Sequence, residues 1–228
     1  MLEELFLKGE LMFEKIFKKI KKELCRNKIK FTNSSSYWED RYKYGANSGA
    51  GSYGRLAVFK AEVLNDFVKQ NQIKSVLELG SGDGNQLKLA EYPSYVGVDV
   101  SKTVIEECKK IFANDNSKKF LCVDEYNGER AELTLSLDVV YHLVEDEVFN
   151  DYMSKLFDSA EKYVVVYASD KEDDSPAEHV RHRKFSDWVA KNRSNFKQIS
   201  YIPNKYPFDK ADCKNTSFSD FYIYQKNG

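Results

Sequence analysis

VLELGSGDGN, residues 76–85, sets a short apolar run directly against three glycines, Gly80, Gly82 and Gly84. The run reads as a buried strand, and the glycines after it let the chain turn tightly and let a ligand approach the backbone. GNQLKLAEY then reads as a helix, so the loop sits between strand and helix, where backbone N–H groups face a ligand. GAGSYG at 49–54 matches the G-x-G-x-x-G dinucleotide pattern more literally. It fails on context, because the preceding YWEDRYKYGANS is polar and aromatic rather than a buried strand. The loop at 80–84 has the shorter spacing G-x-G-x-G, with Ser81 inside it and Glu78 two residues before it. Such a loop suits a ligand with a cationic amino-acid end better than a pyrophosphate. Asp99 closes the next apolar run, YVGVDV, where a carboxylate can accept both hydroxyls of a ribose.

Outward from this loop the chain alternates. KSVLEL, YVGVDV, KFLCVD, LTLSLDVVYHL and KYVVVYAS read as strands. SKTVIEECKKIF, EDEVFNDYMSKLFDSA and EHVRHRKFSDWVAKN read as the helices between and after them. FKQISYIP and FSDFYIYQ close the chain as two strands with no helix between them. This rhythm predicts an α/β, Rossmann-like, seven-stranded, mostly parallel sheet that ends in an antiparallel hairpin.

Ahead of the sheet, RLAVFKAEVLNDFVKQNQ (55–72) places Leu56, Phe59, Val63, Phe67 and Val68 on one helical face. NSSS (33–36) reads as a polar break. Residues 1–30 read as an amphipathic helix with Phe13, Phe17, Ile20 and Leu24 on a stripe flanked by lysines. That pattern fits a helix packed on its own domain or on a second copy, and also a helix lying on an anionic membrane surface. The organisation expected is a helix and linker over 1–36 and one domain over 37–228, with residues 37–72 as a lid segment.

Composition narrows the class. The 228 residues are 42% hydrophobic, enough for a sizeable core. Basic and acidic residues balance to a formal charge of −1, which carries no nucleic-acid footprint. The four cysteines form no C-x-x-C pair, so neither a zinc knuckle nor a redox dithiol is encoded, and free thiols point to the cytoplasm, with the inner membrane face as a second location through residues 1–30. No metal is expected.

VLELGSGDGN followed by VGVDVS resembles the first two motifs of class I S-adenosylmethionine-dependent methyltransferases. The resemblance covers about residues 37–226. SGAGSYGRL, LDVVYHLVEDEVF and HVRHRKFSDWV are similar to a bacterial branch tied to capsule and surface-polysaccharide biosynthesis, some of it to O-methyl phosphoramidate decoration. The resemblance implies S-adenosylmethionine as cofactor and S-adenosylhomocysteine as product. Gly80, Ser81, Gly82 and Gly84 would line its methionine and ribose side, Glu78 its amino end, and Asp99 with Val100 its ribose. Asp124 and Glu125, after the third strand, would lie near the adenine, and Asp138 beneath the sulfonium. The segment with Tyr53 and Arg55 would fold over the cofactor, with Arg55 meeting an anion.

The chemistry is expected at the end of the fourth strand, on Asp138, Tyr141 and His142. His142 reads as a general base or as a residue that only hydrogen-bonds and positions substrate; the sequence leaves both open. His179, Arg181, His182 and Arg183 follow the fifth strand and would face the same edge. Read as helical, they put His179 and Arg183 on one side, suiting a phosphorylated or nucleotide-linked acceptor. The function expected is methyl transfer to an oxygen of a small, phosphorylated or nucleotide-linked precursor of capsule polysaccharide, with a small-molecule or sugar-linked acceptor as partner and no nucleic acid. Two other readings stay open: an NAD-dependent oxidoreductase, if a strand precedes GAGSYG, and a non-catalytic cofactor-binding scaffold at the membrane.

Overall fold

The computed structural model describes residues 29–173, 175 and 177–227; the helix read over 1–30 therefore lies almost wholly outside the described residues. Seven strands form one sheet: β1 (Val76–Leu79), β2 (Tyr95–Asp99), β3 (Lys118–Cys122), β4 (Ala131–Leu137), β5 (Ala160–Ala168), β6 (Phe196–Ile202) and β7 (Asp220–Lys226). Their order is β3-β2-β1-β4-β5-β7-β6. The first five strands run parallel, with Val76 opposite both Tyr95 and Leu133, and β7 pairs antiparallel with β5 and β6. The mostly parallel sheet and its antiparallel end are those expected from the sequence.

Among the described residues five helices flank it: α1 (Ser34–Lys43), α2 (Gly54–Gln70), α3 (Lys102–Ile111), α4 (Asp146–Asp158) and α5 (Phe185–Asn192). Strand pleating sends alternate side chains to opposite layers. On β5, Val165 and Tyr167 join the core beneath α2 and α3, with Phe59, Leu64 and Ile105. Val164, Val166 and Ala168 join the other, beneath α4 and α5, with Met153, Phe157 and Phe185. Both faces are covered, which is why these strands read as continuous apolar runs.

Three local expectations are corrected. Residues 34–36 are not a break: Asn33 Oδ1 accepts the Ser36 amide at 2.8 Å, so the polar run is the cap and first turn of α1. After the glycine loop only the single turn Leu87–Leu89 forms. Asn65 takes the backbone bonds that a helix would need, donating to Leu89 O and accepting from Glu91 N, each at 2.9 Å. Residues 178–184 are not helical either. The Arg181 amide donates to Tyr141 O at 2.8 Å and His182 bridges to Asp173, so α5 starts only at Phe185. GAGSYG lies between helices α1 and α2, so the strand on which the oxidoreductase reading depends is not there. Among the described residues no helix is long and apolar enough to cross a membrane.

Candidate functional site

At the carboxyl ends of β1, β2, β3 and β4 lies a cavity of about 430 Å³, within the usual range of about 300–1,000 Å³ for small-molecule sites. Its floor is the end of β1, Leu79 and Gly80, where the glycine loop begins. Gly80 has φ +81°, and a Cβ there would fall 2.4 Å from Val139 Cγ2, so only glycine fits between β1 and the end of β4. The Gly82 amide turns back to donate to Asp99 Oδ2 at 2.9 Å, and the Ser101 amide donates to Asp99 Oδ1 at 3.0 Å. Burial raises the Asp99 pKa while these backbone bonds oppose the rise. Each oxygen accepts one amide and keeps lone-pair capacity for a further donor such as a diol hydroxyl.

Beyond Asp99 the wall continues through Val100, Val123, Asp124 and Tyr126. Asp124 is exposed and pairs with Lys102 at 3.1 Å. One stripe of α4, Val148, Asp151, Tyr152 and Lys155, forms the facing wall. The Tyr152 hydroxyl ties that stripe to the floor by donating to Leu79 O at 2.8 Å.

Asp138 and His142 line the other end. Asp138 has φ +61°, a conformation short polar residues tolerate at some cost. Lys60 on α2, only 1% exposed, holds Asp138 Oδ2 at 2.8 Å, and the hydroxyls of Tyr141 and Ser219 donate to Oδ1, each at 2.9 Å. Gly51 packs against the same carboxylate: a Cβ there would lie 2.5 Å from Oδ2.

His142 lies 2.9 Å, through Nδ1, from His179 O. A carbonyl only accepts, so Nδ1 carries the proton and Nε2 keeps a lone pair. Burial pushes the imidazole down to about 4. The ring packs edge-on to Trp38 at 4.8 Å and stacks on His179 at 5.6 Å; His179 stacks in turn on Tyr37 at 4.4 Å.

The first glycine stretch crosses over this cavity. Tyr53 Oη donates to Asp83 Oδ2 at 2.7 Å, and Asn85 Nδ2 donates to Ser52 O at 2.7 Å. Ser48 and Ser52 line the cavity from this side. Helix α1 roofs it and is fastened at its start and near its middle. Ser34 gives its amide and hydroxyl to Glu145, at 2.9 and 2.6 Å. Glu39 accepts the hydroxyls of Ser101 and Thr103, each at 2.6 Å. Ser34, Ser35, Trp38 and Tyr42 look into the cavity from α1.

Of the residues singled out in the sequence, Gly80, Asp99, Val100, Asp124, Asp138 and His142 line the cavity. Others support its walls. Glu78 is buried against the Tyr95 hydroxyl at 2.6 Å, and burial lifts its carboxyl to about 7. Ser81 is buried, its hydroxyl without a partner among the described residues. Glu125 accepts the Cys122 amide at 2.8 Å. Gly82, Gly84, Tyr53 and Tyr141 act behind the surface.

The anion-reading group is not assembled as expected. Arg183 is buried and bonds Asp146 and the carbonyls of Leu143 and Val144. Arg181 pairs with the same Asp146 at 3.0 Å. His182 Nδ1 lies 2.6 Å from Ser169 Oγ. Arg55 lies over Tyr206 and bonds Asn215 O and Asp212. None of these four lines the cavity. The sequence reading missed Lys60, Trp38, Ser34 and the α4 stripe. For Trp38 the cap signal at Asn33 would have been a guide. Lys60 carried none, standing among the apolar positions of an amphipathic helix.

No family model matches the sequence, and no curated protein does. Solved structures share its fold. Magnesium protoporphyrin IX methyltransferase from Synechocystis PCC 6803, with S-adenosylhomocysteine bound, superposes with TM-score 0.61 at 15% identity, over 85% of this chain and 98% of that one. The N-methyltransferase NodS from Bradyrhizobium japonicum WM9, also with S-adenosylhomocysteine, gives 0.58 at 12% identity, over 76% and 88%. The methyltransferase domain of bacterial CtHen1 gives 0.58 at 17% identity, over 74% and 97%. The chain has the Rossmann-like fold that these methyltransferases share.

Proposed function

We propose that this protein is an S-adenosylmethionine-dependent methyltransferase acting on an oxygen of a small acceptor. The observation that carries the reading is the pairing of a ribose-competent carboxylate, Asp99, and a glycine floor with a polar end at Asp138 and His142, within one cavity. The residues fit the cofactor: Asp99 would hold the ribose hydroxyls, Val100, Val123 and Tyr126 would enclose the adenine, and Asp124 would approach its amino group. The Gly80 backbone and the Ser48–Ser52 side would receive the amino-acid end. The cofactor supplies a methyl group on a cationic sulfonium.

The chain's own contribution is alignment and exclusion of water. α1 and the 44–54 strap cover the cavity, and Lys60 with the Tyr141 and Ser219 hydroxyls fixes the Asp138 carboxylate. His142 presents Nε2 as an acceptor. Burial holds the imidazole at about 4, so it is a weak proton sink, and its Nε2 would orient an acceptor hydroxyl other than the nucleophile. This favours an acceptor whose nucleophile is already anionic, in keeping with the phosphorylated or nucleotide-linked precursor of surface polysaccharide that the sequence resemblance implies. Arg181 and Arg183 read as a brace between the 177–184 segment and the start of α4.

The test is release of S-adenosylhomocysteine across nucleotide-linked precursors, cytidine diphosphoramidate included, free sugars and finished polysaccharide. Turnover on a nucleotide-linked compound is the expected result. Turnover confined to finished polysaccharide would refute the small acceptor, and calorimetry showing no binding of S-adenosylhomocysteine would refute the cofactor.

A further inference from the structure

Lys60 is 1% exposed, on the buried stripe of α2 with Leu56, Ala57 and Leu64. A lysine is almost never taken out of water unless its charge is paired. Its ammonium holds Asp138 Oδ2 at 2.8 Å and lies 5.3 Å from the Tyr167 ring centroid. Tyr141 and Ser219 fill Oδ1 with their hydroxyls, each at 2.9 Å, and Gly51 crowds Oδ2. A carboxylate offers about four acceptor sites, so at most about one site of Asp138 is left for a ligand.

The consequence is electrostatic. At this end of the cavity the lining side chains able to carry charge near neutral pH are Asp138 and His142. Burial keeps the imidazole uncharged, and Lys60 cancels the carboxylate. Asp83 and Glu145 do not line the cavity; they are bonded to the strap and to Ser34. Glu78, a second carboxylate that feels Lys60, is buried against Tyr95, and burial lifts it to about 7, so it is only partly ionised at neutral pH. The reacting end therefore carries little net charge, although an acid lines it. An amine acceptor arrives as an ammonium, and an unpaired carboxylate is what would hold it there. A hydroxyl or an oxyanion has no such need, and an unpaired carboxylate would repel the oxyanion.

We propose that Lys60 sets the charge class of the methyl acceptor. By cancelling Asp138 it shuts out ammonium-bearing acceptors and leaves the site to neutral or anionic oxygen nucleophiles. This assignment rests on the methyltransferase reading of the site and names the residue behind the choice of oxygen. Lys60 itself touches no ligand. It acts through Asp138, and it selects by disfavouring the wrong acceptor rather than by gripping the right one.

Calorimetry on the full chain reads that charge, with circular dichroism to check folding. The probes are S-adenosylhomocysteine, whose sulfur is neutral, and sinefungin, in which a carbon bearing an ammonium replaces the methyl-bearing sulfonium. The ratio of their affinities reports how this end receives a cation, whereas a purely structural loss weakens both alike. In wild type the two should bind within about ten-fold of each other. Lys60→Met uncovers Asp138 and should raise the preference for sinefungin by about ten- to a hundred-fold. Lys60→Arg, which restores the charge, should return the ratio to that of wild type, and so should Lys60→Met combined with Asp138→Asn. A ratio in Lys60→Met equal to that of wild type overturns the proposal. Should that variant fail to fold, Asp138→Asn takes its place: it leaves the ammonium unopposed, sinefungin should lose ground, and an unmoved ratio overturns the proposal as well. Should neither variant fold, wild type that prefers sinefungin by about a hundred-fold or more overturns it. Binding of neither probe to wild type would refute the methyltransferase reading, and the role of Lys60 with it.

Discussion

Ser48 and Asp83 bond each other twice: the Ser48 amide donates to Asp83 Oδ2, and the Asp83 amide donates to Ser48 Oγ, both at 2.9 Å. Through this pair the glycine stretch at 49–54 is sewn to the one at 80–84. The Tyr53 hydroxyl shares the same carboxylate oxygen. Asp83→Ala removes the acceptor for all three donors, including the Asn85 amide. The expected result is a folded protein, destabilised by about 1–3 kcal/mol, with new protease cleavage within residues 44–54. Limited proteolysis identical to wild type would mean that the remaining ties hold the strap unaided.

Asp99 is expected to dominate ribose recognition. Asp99→Ala orphans the Gly82 and Ser101 amides and removes both diol acceptors. Affinity for S-adenosylhomocysteine should fall by about a hundred-fold or more, while melting shows a cooperative fold. Asp99→Asn, which keeps one acceptor oxygen, should lose less. Unaltered affinity by calorimetry in both variants would exclude the ribose role.

Lys60 and Asp138 form an ion pair whose lysine is almost wholly out of water. Breaking it from one side leaves an uncompensated charge, so Lys60→Met or Asp138→Asn alone should each cost about 3–5 kcal/mol in urea unfolding. The double variant should recover much of that loss. Additive losses would mean the two side chains do not depend on each other.

Two groups give stability opposite slopes against pH. Glu78 sits at about 7, above its ordinary 4.5, so its contribution is complete below pH 4.5 and is lost as pH rises to 7. His142 sits at about 4, below its ordinary 6.5, so the unfolded chain binds the extra proton and stability is lost as pH falls from 6.5 to 4. The slopes oppose each other between 4.5 and 6.5. Glu78→Gln should expose the His142 slope, with urea midpoints rising from pH 4 to 6.5. His142→Asn should expose the Glu78 slope, with midpoints falling from 4.5 to 7. Midpoints in either variant that track wild type would show that the group titrates in its ordinary range.

Catalysis should show the same imidazole. With His142 neutral above pH 5, kcat/KM should carry no ascending limb near 6.5. A limb there that vanishes in His142→Asn would establish a base of ordinary pKa.

The central strands β1, β2, β4 and β5 were legible because each is an apolar run and both faces of the sheet are buried there, whereas the edge strand β6 is mostly exposed. Asp99 and the glycine loop could be read for the same reason: their roles follow from where a strand stops. The segment 178–184 could not. Its histidines and arginines have helical spacing, but Tyr141 O, Ser169 and Asp146 capture them, and no local pattern announces a tertiary partner. Lys60 was hidden likewise, since a lysine on an amphipathic helix is ordinarily solvated.

Ser34 is at once the first residue of the roof helix, a wall of the cavity and the residue gripped by Glu145. Just ahead of it, Phe31 packs on the Tyr37 ring at 6.1 Å and Asn33 caps the Ser36 amide, so this short stretch also bears on the roof helix. The start of α1, the cavity wall and the Glu145 anchor are therefore one residue, and a change there is felt by all three. Ser34→Ala, which removes the hydroxyl that Glu145 grips, should in turn change how quickly S-adenosylhomocysteine exchanges.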